Sequence, residues 1–191
     1  MNTDLTDPGK AFDAILRFLI AALVVALVIA QFTLLFDVDA SWDEFNYLSK
    51  VHLAQDGRLS ARQALHVYLF AWVPEISAHA LGQIVAARTG IWVVFAGSLF
   101  FLYQIAREFQ SQIAALFSIL CLVAFSFVIE HGASFRYDPL AIFLVLSSGW
   151  LYLRKGKATA AGAGIAIACA TLVTIKSAVL FPALAGLWLW R

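Results

Sequence analysis

The chain has 191 residues, 62% hydrophobic and only 13% charged, with a mean hydropathy of +0.85 and a formal net charge of +1. Soluble domains of this size are nearer half apolar and a quarter charged, so the composition excludes an ordinary soluble domain and predicts an all-α, polytopic membrane protein. No basic tract supports a nucleic-acid partner. In chain order, the first apolar run covers 18–36 and follows Lys10 and Arg17. It resembles a signal peptide but is too long for one and lacks a small-residue cleavage site, so it reads as an uncleaved first span. Further apolar runs at 89–106, 113–129, 139–153, 158–175 and 177–190 complete six expected transmembrane helices.

Positive charge orients these spans. With the N-terminus inside, Lys10, Arg17, Arg107, Arg154, Lys155, Lys157 and Arg191 lie on the inner side. The outer side holds the long segment 37–88, the short segment 130–138, and Lys176. This predicts a cytoplasmic N-terminus and an active face toward the periplasm or exterior. Lys176 is expected at the outer tip of a tight hairpin between spans five and six, the alternative being one long helix bent near Pro182. The Ala- and Gly-rich stretch 160–170 predicts close helix packing. Cys121 and Cys169 each sit mid-way in an apolar run and read as packing residues rather than a disulfide.

The outer segment 37–88 carries helix signals of its own. Ser41 followed by Glu44 is a capping-box pattern, with Asp43 also in the first turn. Tyr47, Leu48, Val51 and Ala54 then recur at helical spacing, and Asp56-Gly57 reads as the stop. Ser60 with Gln63 repeats the capping pattern; Leu65, Leu69 and Trp72 carry a second helix to Pro74. A third helical stretch, from about Glu75 to Arg88, leads into the second span. Tyr68, Phe70 and Trp72 suit helices lying at a membrane interface.

Three groups of residues can carry chemistry. Carboxylates in a first helical turn ordinarily cap it, but Asp43 and Glu44 stand at a membrane boundary, where ionisable groups are usually functional. The roles divide naturally, with Glu44 as the cap and Asp43 as a base. Glu130, His131, Arg136 and Asp138 form either a solvated loop or a polar cluster in which Arg136 holds a phosphate or carboxylate. Asp138 before Pro139 also suits a helix start. Lys176 either snorkels to the interface or contacts a lipid phosphate. Arg88 is an interface anchor or a buried ion-pair partner. His52, His66 and His79 are scattered without metal-ligand spacing, and nothing compels a divalent metal. No P-loop, dinucleotide-binding glycine fingerprint or nucleophile elbow is present.

In their order, these residues resemble the GT-C superfamily of integral-membrane glycosyltransferases, nearest its protein O-mannosyltransferase-like and lipid A aminoarabinose transferase-like bacterial branches. The resemblance rests on Trp42-Asp43-Glu44-Phe45-Asn46-Tyr47 after one span, then Gly57, Gly82 and Ala86-Ala87-Arg88. It continues through Arg136-Tyr137-Asp138-Pro139-Leu140 and Gly162-Ala163-Gly164 to Thr174-Ile175-Lys176 before Pro182. It implies that Asp43 is the base for an acceptor and that the donor is a sugar on a polyprenyl phosphate. Attack then inverts the anomeric centre, and Arg136 and Lys176 steady the leaving phosphate. Glu44, Tyr47, Arg88, Glu130, His131, Arg136, Asp138 and Lys176 are the residues expected around the substrates. The acceptor is a lipid, glycan or protein, and the location a bacterial inner membrane. Family members are typically longer, with more spans and often a soluble C-terminal domain. Residues 1–191 therefore correspond to an N-terminal module, with turnover expected of the complete protein. The rival readings are a transporter or flippase fragment, for which polar groups near mid-membrane are the expected mark, and a scaffold subunit of an envelope-glycan assembly.

Overall fold

A computed structural model of the chain describes residues 8–59 and 65–190. The described residues are all-α, with no strand among them. The first helix, α1 (Pro8–Asp37), has 30 residues. It is followed by α2 (Trp42–Gln55) and the short α3 (Leu65–Leu69) and α4 (Val73–Ile76). Next comes α5 (Ala80–Phe109), again 30 residues, then α6 (Gln112–Val123) and α7 (Ser126–His131). A pair, α8 (Asp138–Leu153) and α9 (Lys157–Val173), leads to a 3-10 turn over Ile175–Leu180 and to α10 (Phe181–Trp190).

Among the described residues two helices, α1 and α5, are long and apolar enough to cross a membrane. In α1 only 11% of the most apolar stretch is covered by the rest of the chain, against 39% in α5. Of the remaining expected spans, the fourth matches α8, the fifth ends two residues early in α9, and the sixth is shortened to α10 by the 3-10 turn before it. The third, expected over 113–129, is divided: α6 stops at Val123 and α7 begins at Ser126. No proline or glycine marks this break. The visible constraint is tertiary, since Gln31 of α1 donates from Nε2 to the Val128 carbonyl at 2.7 Å. At ~1.5 Å per residue, α8 and α9 reach about 24 and 26 Å, short of the ~30 Å of a bilayer core.

The outer segment follows its local signals with two corrections. Ser41 and Gly57 behave as read: α2 starts on a complete capping box, and Gly57 takes φ +67° just past its end. That left-handed conformation is one a side chain rarely adopts. The Ser60–Gln63 pattern lies outside the described residues. Pro74 does not end a helix; it occupies the first turn of α4, where its missing N–H is not needed. The helix expected from about Glu75 is interrupted at Ser77, and α5 starts only at Ala80. Ser77 Oγ accepts the His79 N–H at 3.1 Å, and Gln83 Nε2 donates back to Ser77 O at 2.7 Å, which holds the corner closed. Gly82 permits it, since a Cβ there would stand 2.5 Å from Ser77 Oγ.

Three apolar clusters hold these elements together. Tyr47, Leu48, Val51, Val67, Val73, Ile84 and Phe135 bury the inner faces of α2 to α4 against α5. Phe95, Leu99, Ile119 and Val123 join α5 to α6 and α1, while Leu140, Ala141 and Val173 join α8 to α9. Ser148 Oγ donates to Ala163 O at 2.8 Å across the α8–α9 contact. Leu184 and Leu187 of α10 lie against Gly149 near the far end of α8, while Lys176 lies over Tyr137 at its start. The last helix therefore runs back along α8, with Lys176 on the 3-10 turn between the two apolar helices.

Candidate functional site

The first turn of α2 sends its two carboxylates to different partners. Glu44 turns inward and is 1% exposed. Its Oε2 accepts from the Ser41 N–H at 2.9 Å and from Arg88 Nη2 at 2.7 Å; its Oε1 accepts from Arg88 Nε at 2.8 Å and the Phe135 N–H at 2.8 Å. Four donors fill the acceptor sites of an ionised carboxylate. Burial by itself would raise the Glu44 pKa, but the Arg88 hydrogen bonds, the Ser41 and Phe135 N–H groups and the Arg88 charge outweigh it and hold the carboxyl below its ordinary value. Arg88 is equally committed. Its Nη1 donates to Leu35 O at 2.9 Å and Val38 O at 2.8 Å, and its Nη2 to Asp39 O at 3.0 Å. All five guanidinium hydrogens are used. This pair ties the end of α1, the start of α2, α5 and the 132–137 connection to one point.

Asp43 turns the other way. Its side chain is 48% exposed, and its Oδ2 lies 3.2 Å from Arg136 Nη2. Arg136 also faces Asp138, with Nε 3.7 Å from Oδ2. One guanidinium thus stands between two half-exposed carboxylates. Tyr47, one helical turn after Asp43, lies beside Tyr137, the residue between Arg136 and Asp138. The rings meet edge-to-face at 5.0 Å. Burial, the adjoining Tyr137 hydroxyl and the nearby Asp43 and Asp138 charges push the Tyr47 hydroxyl well above the ordinary tyrosine range, so it stays a neutral donor and acceptor. Lys50 Nζ sits 4.9 Å from the Tyr47 ring and Lys176 Nζ 5.8 Å from the Tyr137 ring. His66 packs on both tyrosines, and neither ring nitrogen has a hydrogen-bond partner among the described residues. Burial, then the Lys50 charge, lower its pKa to about 4, so the imidazole is neutral at pH 7.

Two cavities flank this cluster. The larger, about 370 Å³, is lined mostly by apolar side chains of α5, α6, α7 and α8, including Phe95, Leu122, Pro139, Ile142 and Leu146. His131, Arg136 and Asp138 supply most of its polar lining. From Asp138 to Leu146 it follows α8 for about 12 Å at ~1.5 Å per residue. The smaller, about 220 Å³, lies between the end of α1, the start of α2 and α7, and includes Gln31, Glu44, Arg88 and Glu130. His131 borders both, and its Nε2 is 3.9 Å from Glu130 Oε2.

Of the residues singled out from sequence, the fold gathers Asp43, Tyr47, Arg136, Asp138 and Lys176. It places Glu44 and Arg88 behind them as a closed pair, and Glu130 and His131 along the cavity walls. His52 is bonded to Gln83 at 2.9 Å, and His79 is exposed at the head of α5. Sequence reading set His66 aside as one of three scattered histidines, gave Tyr137 no role of its own, and passed over Lys50. Tyr137 carried a signal, since it stands between two charged candidates; His66 and Lys50 join only through tertiary packing. Among the described residues no group of three metal-ligating side chains converges. Comparison with protein families, curated proteins and solved structures finds no match.

Proposed function

We propose that residues 1–191 are the N-terminal membrane module of a GT-C-type glycosyltransferase. It transfers a sugar from a polyprenyl-phosphate donor to a lipid, glycan or protein acceptor at the outer face of a bacterial inner membrane. In this reading the apolar helices span the bilayer with the N-terminus cytoplasmic, and α2 to α4 lie at the outer interface. The observation that carries it is the position of Asp43: a half-exposed carboxylate paired to Arg136, which with Asp138 lines an elongated apolar cavity. A lipid-linked donor needs this combination, an apolar channel for the chain and a cation and a base where the chain ends.

In the reaction the Asp43 carboxylate takes the proton of the acceptor hydroxyl. The freed oxygen forms a bond to the anomeric carbon from the face opposite the phosphate. The bond from that carbon to the phosphate oxygen breaks, its electron pair leaves on the phosphate, and the configuration inverts. Arg136 and Lys176 steady the charge that develops there. An arriving phosphate competes with Asp43 for the Arg136 guanidinium, and its capture frees Asp43 to act as a base. Tyr47 and Tyr137 offer hydroxyls to the sugar. Glu44 and Arg88 act at one remove, by fixing the turn that presents Asp43.

The test is Asp43→Asn in the complete protein. An exposed ion pair contributes at most about 1 kcal/mol, so the variant folds and inserts. Transfer falls by about a hundredfold or more, as loss of a general base requires. Full turnover by this variant would end the catalytic assignment.

A further inference from the structure

Of the residues that line the larger cavity, only Phe127 of α7 and Ile142 of α8 are largely exposed, at 57% and 46%. The cavity therefore opens between these two helices, past two apolar side chains, while Arg136 and Asp138 sit at one end of it. Helix α7 is lightly held. None of its residues is fully buried, and the chain leaves helical form just before it, at Ala124 and Phe125. The side-chain hydrogen bond that ties it to another helix runs from Nε2 of Gln31, 5% exposed on α1, to Val128 O at 2.7 Å. The same carbonyl accepts the Gly132 N–H at 2.8 Å, so the amide grips the turn that closes α7. Gly132 leaves room for it: a Cβ there would stand 2.7 Å from Gln31 Nε2.

We propose that the gap between α7 and α8 is a lateral portal through which the hydrocarbon chain of a lipid-linked donor enters the cavity from the bilayer, with the Gln31–Val128 bond as the latch on its movable side. This rests on the reading of the cavity as the donor's channel and deepens it. The cavity follows α8 for only about 12 Å, at ~1.5 Å per residue from Asp138 to Leu146. A polyprenyl chain is several times longer. Most of it therefore stays in the bilayer and passes out through an apolar opening while the phosphate is held at Arg136. Phe127 and Ile142 supply that opening, since bare apolar side chains are costly against water and not against lipid. Freeing α7 costs one hydrogen bond, whose net weight is small enough for thermal opening, and the partial packing of Val128.

The experiment uses the full chain in lipid nanodiscs. Cys121→Ala and Cys169→Ala remove the native thiols, and Leu146→Cys places one at the deep end of the cavity. The probes are N-cyclohexylmaleimide, which dissolves in the bilayer, and a sulfonated maleimide confined to water. N-cyclohexylmaleimide labels position 146 at least about tenfold faster, because the apolar reagent arrives from the lipid side. Gln31→Leu removes the latch and keeps a side chain of similar size; it speeds that labelling by about three- to tenfold, the weight of one hydrogen bond. Phe127→Trp narrows the portal and slows it. Farnesyl phosphate, standing in for the donor, protects position 146. Faster labelling by the sulfonated reagent, labelling by neither, or a rate left unchanged by Gln31→Leu or by Phe127→Trp overturns the portal. Failure of farnesyl phosphate to protect overturns the donor as its occupant. Labelling requires no turnover, so these outcomes are read whether or not Asp43→Asn abolishes transfer, and the portal and the catalytic reading fail separately.

Discussion

Replacing Arg88 with methionine removes a buried cation and keeps most of its volume. Glu44, 1% exposed, then loses two of its four donors and retains only the Ser41 and Phe135 N–H groups. The Leu35, Val38 and Asp39 carbonyls lose their donor as well. Breaking a buried ion pair from one side typically costs about 3–5 kcal/mol, because the remaining charge stays buried without compensation. The upper half of that range applies here, since three carbonyls are released together with the carboxylate. Reversible unfolding of the detergent-solubilised protein measures the loss, and a cycle with Glu44→Gln and the double variant isolates the coupling. The single variants are each strongly destabilised, and the double variant recovers part of the loss because the uncompensated charge is gone. The pH dependence has a definite sign. The folded-state pKa of Glu44 is depressed, so its contribution is complete above the unfolded value near 4.5 and is lost as pH falls through the folded value. Glu44→Gln flattens stability over that acidic range. An Arg88→Met variant within about 1 kcal/mol of wild type would refute the claim that this pair holds the outer segment in place.

Leu146→Trp fills the apolar cavity at its deep end without touching Asp43 or Arg136. It leaves the fold intact and raises the KM for a lipid-linked donor, and an unchanged KM would remove the cavity from the donor path. Ser41→Ala costs about 0.5–1 kcal/mol, the lower part of the range for a cap, because the Ser41 Oγ to Glu44 N–H contact is long at 3.4 Å. Thermal unfolding checks it, and a loss above about 2 kcal/mol would mean that Ser41 does more than cap α2.

The capping box, the stop at Gly57 and the separation of Asp43 from Glu44 were all legible in the sequence. Each depends on residues within a few positions of one another. The third expected span was misread because residues 113–129 are almost uniformly apolar and carry no breaker; the division at Ala124 and Phe125 coincides with the Gln31 contact, 97 residues from Val128. Pro74 was read as a terminator because proline ends and begins helices with the same letter. The corner at Ser77, closed by Gln83, decides between them. In the site, Arg88 carried two readings, anchor or buried partner. Choosing between them required knowing which carboxylate lay opposite, and that partner is 44 positions away.

Composition, hydropathy and short-range spacing alone determined that this chain is helical, strongly apolar and rich in paired charge at the ends of its apolar runs. Those properties reside in single residues and in contacts within one helical turn. The tertiary structure alone decided which cation each of the two adjacent carboxylates meets and how deeply each is buried. Asp43 and Glu44 are chemically near-identical and differ mainly in direction from the helix axis. One points at Arg88, takes two of its five donors and is sealed; the other points at Arg136 beside an apolar cavity and stays half exposed.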